Sequence, residues 1–159
     1  MTKLPSWLPE ALDLSTWTEK TYDMLYKIFE KDFILSKPVF NNRPVWYFPE
    51  REEGREVIFW HLTSRYEEYA GGGRVPDLRR SERLPWVKPT IDNSSEPEVL
   101  TWDYKEGNGS IKTYVWLKDF SYVVIMKKYK DNGRRLITSF YLDYPHEETK
   151  MMKKYQGRI

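Results

Sequence analysis

Four strand-like runs close together in the C-terminal half constrain the fold more than any other feature of the chain. They are Val99 to Lys105, Ile111 to Leu117, Tyr122 to Tyr129 and Arg135 to Leu142. Gly107-Asn108-Gly109, Lys118-Asp119-Phe120 and Asp131-Asn132-Gly133 separate them. Asn-Gly between apolar runs is a strong short-range hairpin signal, because both central residues of the turn need positive φ. Connections this short leave no room for crossover helices. The pattern therefore predicts an antiparallel meander and not an alternating parallel α/β sheet.

Upstream of the meander the signals are mixed. Thr16-Trp17-Thr18-Glu19 has capping-box spacing. Trp17, Met24, Leu25, Ile28, Phe29 and Phe33 then recur at helical intervals, which predicts an amphipathic helix packed on the core. Asn41-Asn42-Arg43-Pro44 reads as a turn, and Pro44 and Pro49 limit Val45 to Phe48 to a short or edge strand. Val57 to Leu62 is a continuous bulky run and is expected to be a buried strand ending near His61. Ser64 with Glu67 suggests a short helix, and Gly71-Gly72-Gly73 a mobile loop. Arg79 to Trp86 reads as a turn of helix or an extended piece, with Pro85 and Pro89 forbidding a long element. Asp92 to Pro97 is a linker. The expected fold is α+β: an N-terminal helix followed by a curved four-stranded antiparallel sheet. Residues 1–36 form a lead-in and packing helix, 37–146 the core, and 147–159 a basic tail or short helix, all within one domain.

Composition narrows the function. With 159 residues, 40% of them hydrophobic and 31% charged, the chain has enough apolar material for one core. No run approaches the roughly 18–20 apolar residues of a membrane helix, and the N-terminus lacks a signal-peptide core. The chain has no cysteine, which excludes disulfides and thiolate zinc sites and makes a cytoplasmic location the default expectation. The two histidines, His61 and His146, do not have zinc-site spacing. No P-loop, no GxGxxG and no nucleophile-elbow serine is present. Neither a metal nor a cofactor is expected.

Net charge is only +2, but Arg74, Arg79, Arg80, Arg83 and Lys88 fall within fifteen residues, against Asp77 and Glu82. Histidine beside such a segment suits acid–base chemistry on RNA. RNA supplies its own 2′-hydroxyl nucleophile, and cleavage then needs a proton acceptor, a proton donor and cations for the phosphorane charge. Thr138, Ser139 and Tyr141 are candidate hydroxyl donors on the last strand. Trp86, Trp102 and Trp116 are either base-stacking or core residues. His146 reads as a surface residue. Arg65, Arg74, Arg79, Lys88 and Tyr141 make up the candidate RNA-binding set. Two other readings stay open: a non-catalytic RNA-binding module, and a protein–protein regulatory module that docks through a sheet edge or the first helix.

Three motifs carry a resemblance: Val57 to Arg65, Asp77-Leu78-Arg79-Arg80-Ser81-Glu82-Arg83-Leu84-Pro85-Trp86, and Leu136-Ile137-Thr138-Ser139-Phe140-Tyr141. Together they resemble the phage-associated branch of the superfamily of barnase, EndoU, colicin and RelE-like nucleases, over about residues 37–145. The resemblance implies a metal-independent endoribonuclease of toxin or phage-effector type, acting on tRNA, mRNA or ribosome-bound RNA, with a cognate inhibitor protein as a further partner. It also implies His61 as the acid–base residue, Arg80 or Arg83 on the scissile phosphate, and Thr138 facing the site. Glu82 is the candidate partner base.

Overall fold

A computed structural model describes residues 3–67 and 72–159. Helix α1 spans Thr21–Phe29 and runs on into a π-helical turn, Glu30–Ile34, closed by Leu35 N–H to the Glu30 carbonyl at 2.8 Å. The helix starts later than the Thr16/Glu19 pair predicts: the Thr18 N–H donates to Thr21 Oγ1 at 2.9 Å, and that interaction marks the entry. Leu25, Phe29 and Phe33 are buried, whereas Met24 lies outside the apolar face.

Two small hairpins follow, β1 (Val39–Phe40) with β2 (Arg43–Pro44), and β3 (Arg51–Glu52) with β4 (Arg55–Glu56). The first turns through Asn41 and Asn42, whose φ values of 50° and 66° are those of a primed hairpin turn. Val57–Thr63 is helix α2, not a strand. Its buried residues are Ile58, Phe59, Leu62 and Thr63, a helical stripe. Bulky Val57, Trp60 and His61 on the open side mask that stripe, so the run reads as continuously apolar. Packing decides the outcome: Phe59 sits in an aromatic cluster with Tyr22, Tyr26 and Phe29, at ring centroid distances of 6.3, 5.2 and 5.6 Å. Tertiary contact of this kind overrides a weak β preference.

The expected helix at Ser64 is instead a strand. β5 (Ser64–Glu67) pairs antiparallel with β6 (Gly73–Pro76). Of the glycine loop, Gly71 lies outside the described residues, Gly72 has φ of 73° and Gly73 is already in strand. Residues 78–92 are three short helical pieces: α3 (Leu78–Glu82), a 3-10 turn (Leu84–Trp86) and α4 (Val87–Asp92). Asp77 caps α3, accepting from the Arg80 N–H at 3.1 Å.

The four predicted runs form one antiparallel sheet of β7 (Leu100–Lys105), β8 (Ile111–Leu117), β9 (Tyr122–Lys128) and β10 (Arg134–Tyr141), in spatial order β10-β9-β8-β7. The register shifts between Leu136 and Thr138. Trp46 adds a single parallel bridge to the β10 edge, donating to the Arg134 carbonyl at 3.1 Å and accepting from Leu136 N–H at 2.8 Å. One core cluster joins α1, α2, α4 and residues such as Val115, Val124 and Leu136. The second joins Trp102, Tyr114, Trp116 and Val123 to Met151 of helix α5 (Pro145–Gln156). The expected boundary at 147 thus cuts through a helix that packs on the sheet. Trp86, Trp102 and Trp116 are all buried, so they are core residues and unavailable for base stacking. Among the described residues no helix is long and apolar enough to cross a membrane.

Candidate functional site

α2, α3, the β5–β6 hairpin and the edge of β10 meet around a cleft of about 420 Å³. Its lining includes His61, Arg65, Arg74, Arg80, Arg135 and Thr138, together with Phe48, Glu50 and Tyr66. Four arginines therefore line a hollow in which Glu50 is the one acidic residue among the described lining residues. Residues 61, 80 and 138, far apart in the chain, come together because α2 and α3 both pack on β10.

His61 sits in the last turn of α2, half-buried. Arg80 Nη1 donates to its carbonyl at 2.9 Å and to the Ser64 carbonyl at 3.1 Å. Thr138 Oγ1 donates to the His61 carbonyl at 3.4 Å. Arg74 reaches the same helix end, donating from Nε to Ser64 Oγ at 2.8 Å and from Nη2 to the Ser64 and Trp60 carbonyls at 2.7 and 3.4 Å. The His61 and Ser64 carbonyls are ones that a helix terminus leaves without intrahelical partners, whereas the Trp60 carbonyl already accepts from the Ser64 N–H; cations are favoured at such an end. Arg80 Nε lies 3.4 Å from Asp77 Oδ2, too poorly aligned for a hydrogen bond, so this buried N–H has no acceptor among the described residues.

The electrostatics follow from this crowding. Burial, then Arg74, then Arg80 hold the His61 imidazole below the ordinary histidine pKa, with Glu52 opposing. The ring is therefore neutral at neutral pH and can accept a proton. Burial also lowers Arg80, against the pull of Asp77, and lowers Arg74.

Other sequence candidates lie elsewhere. Arg83 is not on the cleft; it stacks on Tyr141 and Trp86, with Cζ 4.3 and 5.2 Å from their centroids. Glu82 turns to Arg79 and Arg83, at 3.8 and 3.5 Å, and so does not stand beside His61 as a partner base. Arg79 lies 5.7 Å over Tyr141, which places both in that separate stack. Lys88 is tied to Asp92 at 2.6 Å on α4. Ser139 is buried, and exposed His146 stacks on Tyr144 with a centroid distance of 5.6 Å. Sequence reasoning missed Arg135, Glu50, Phe48 and Tyr66. Arg135 had one available signal, a charge at the start of an apolar strand, whereas Phe48 and Glu50 lie in irregular chain with no periodicity to read.

Among the described residues no three His, Asp or Glu side chains are grouped to hold a metal ion. No family model, curated protein or solved structure matches the chain.

Proposed function

We propose that the cleft binds an RNA phosphodiester and that the protein is an endoribonuclease, built on a curved sheet of the barnase and RelE-like kind. The observation that carries this reading is a half-buried imidazole, held neutral, in one hollow with four arginines and a threonine hydroxyl. Neutral His61 takes the proton of the 2′-hydroxyl. The 2′-oxygen then attacks phosphorus, and the bond from phosphorus to the 5′-oxygen breaks. The products are a 2′,3′-cyclic phosphate and a 5′-hydroxyl. The guanidinium groups stabilise the extra phosphorane charge. The 5′-oxygen takes its proton from Tyr66, the phenol among the described lining residues, or from water. The sequence resemblance extends the reading to a cytoplasmic toxin or phage effector, with a cognate inhibitor protein as a second partner.

A second reading has one observation in its favour. Arg74 and Arg80 spend several donors on the carbonyls at the end of α2, and such capping needs no catalysis. On that reading the cleft binds RNA without cutting it. Incubating total tRNA and mRNA in EDTA with wild type and His61→Ala separates the two. Cutting by wild type alone supports the nuclease. Equal cutting by both, or none by either, ends it. Salt-sensitive binding with no product leaves the second reading.

A further inference from the structure

We infer that the cleft continues over the β10 edge as a base-stacking track, and that its occupant is single-stranded RNA flanking the scissile phosphate. The inference rests on the reading of the cleft as an RNA site and adds the strandedness of the substrate and the surface it follows. Phe48 and Trp46 are 47% and 38% exposed, large rings left open to solvent. Their centroids lie 5.6 Å apart, and Trp46 lies 5.3 Å from Tyr129. Cations interleave with the rings. Arg135 stacks on Phe48 at 4.1 Å and donates from Nε to Tyr129 Oη at 3.0 Å, and Lys127 Nζ lies 5.2 Å from the Tyr129 ring.

Two features make this a track and not a scatter of exposed rings. First, it is continuous with the cleft, because Phe48 and Arg135 line both. Second, its backbone is tied down at Trp46, whose N–H and carbonyl both hydrogen-bond to β10. Rings alternating with cations complement a chain in which flat bases alternate with phosphates. A duplex has its base faces already stacked and offers the rings nothing to meet.

The test is fluorescence anisotropy of the full chain with a labelled, uncleavable 2′-O-methyl single strand of about eight nucleotides, within the site sizes common for such grooves. Its duplex and a dinucleotide serve as comparisons. Phe48→Ala is expected to weaken single-strand binding about fivefold to a hundredfold, and Phe48→Tyr to restore it. Lys127→Gln is expected to lower the salt slope of log K by about 0.7. Unchanged binding by Phe48→Ala, an unchanged salt slope for Lys127→Gln, a duplex bound as tightly as the single strand, or a dinucleotide bound as tightly as the longer probe overturns the track. So does Phe48-dependent capture of an acidic peptide in place of RNA.

Should Phe48→Ala fail to fold, photocrosslinking of a bromouridine strand to wild type decides the matter: adducts on Trp46, Phe48 or Tyr129 support the track, and adducts only elsewhere overturn it. The outcome is separable from that for the nuclease. Phe48-dependent binding without cleavage sinks the nuclease and keeps the track. Cleavage that needs His61 but is indifferent to Phe48 and to substrate length does the reverse.

Discussion

Two sets of charged side chains in this molecule follow different rules. Where β7, β8 and α5 meet, one group of cations is matched by carboxylates. Lys154 meets Glu106 at 3.1 Å and Tyr114 Oη at 2.8 Å, while Lys128 and Arg134 meet Asp103 at 3.2 and 3.8 Å. Burial works to raise the Glu106 carboxyl, yet hydrogen bonds from Tyr114 and Lys154 leave it below its usual range. In the His61 cleft the cations outnumber the carboxylates. Among the described residues no cleft arginine donates a side-chain hydrogen bond to a carboxylate, as Lys128 and Lys154 do: Arg74 and Arg135 have no carboxylate within 4.0 Å, Arg65 lies 3.9 and 4.0 Å from Glu67 and Asp77, and Arg80 lies 3.4 Å from Asp77 in poor alignment. A matched set has little left to offer a ligand, so it contributes to stability. An unmatched set holds positive potential in a hollow, which attracts an anion.

The largest effect is expected at His61. His61→Ala is expected to lower the rate of RNA cutting by about 10²–10⁴-fold with little change in melting, since only its backbone carbonyl is used by Arg80 and Thr138. Glu106→Gln in the matched set should do the opposite. It leaves cutting intact and costs about 1.5–3 kcal/mol in urea unfolding, the scale of hydrogen bonds to a charged group. Because the folded pKa of Glu106 is depressed, its contribution is present above the ordinary carboxylate pKa and lost as pH falls through the folded value. The variant's stability should accordingly be flatter against pH on the acid side.

Arg80 and Arg74 sharpen the contrast within the cleft. Arg80→Gln removes two charge-assisted bonds to carbonyls and is expected to cost about 1.5–3 kcal/mol of stability along with binding. Arg74→Gln, at a more exposed position, should weaken RNA binding for all sequences alike and lower the salt slope by about 0.7. It should also move the pH profile. On the proposed mechanism cutting should rise as His61 loses its proton, with a midpoint below the ordinary histidine value of about 6.5. Arg74 is one of the groups that depress it, so the substitution shifts that midpoint upward. The smallest effect belongs to Lys88→Gln, which touches the Asp92 pair alone and should stay within about 0.5 kcal/mol for both stability and binding.

The same contrast governs what was legible in the sequence. The four-stranded sheet was readable because Asn-Gly turns and strand runs are local signals, and the observed strands differ from the expected runs by a residue or so at their ends. Val57–Thr63 was misread because seven bulky residues look alike in a strand and in a buried helix, and only the aromatic cluster around Phe59 decides between them. Ser64–Glu67 has capping-box spacing but is a strand, because its backbone pairs with Gly73–Pro76, a partner that the local Ser-x-x-Glu pattern does not register. His61, Arg80 and Thr138 were chosen on chemistry and resemblance, and they line one hollow. Arg83 and Glu82 were chosen with the same logic and fall outside it, because one turn of α3 points Arg80 toward α2 and sends Arg83 to Tyr141. Arg135 belonged to the cleft for a reason the sequence does not display: Trp46 and Phe48 fold along the β10 edge beside it.

The most direct measurement is the cutting of one single-stranded oligoribonucleotide by wild type and by His61→Ala, repeated with a single 2′-deoxy residue at the cut position, with product ends read by mass spectrometry. A 2′,3′-cyclic phosphate is expected from wild type alone, with no product from the deoxy strand. Equal cutting of the deoxy strand, or the same product from both proteins, would contradict this.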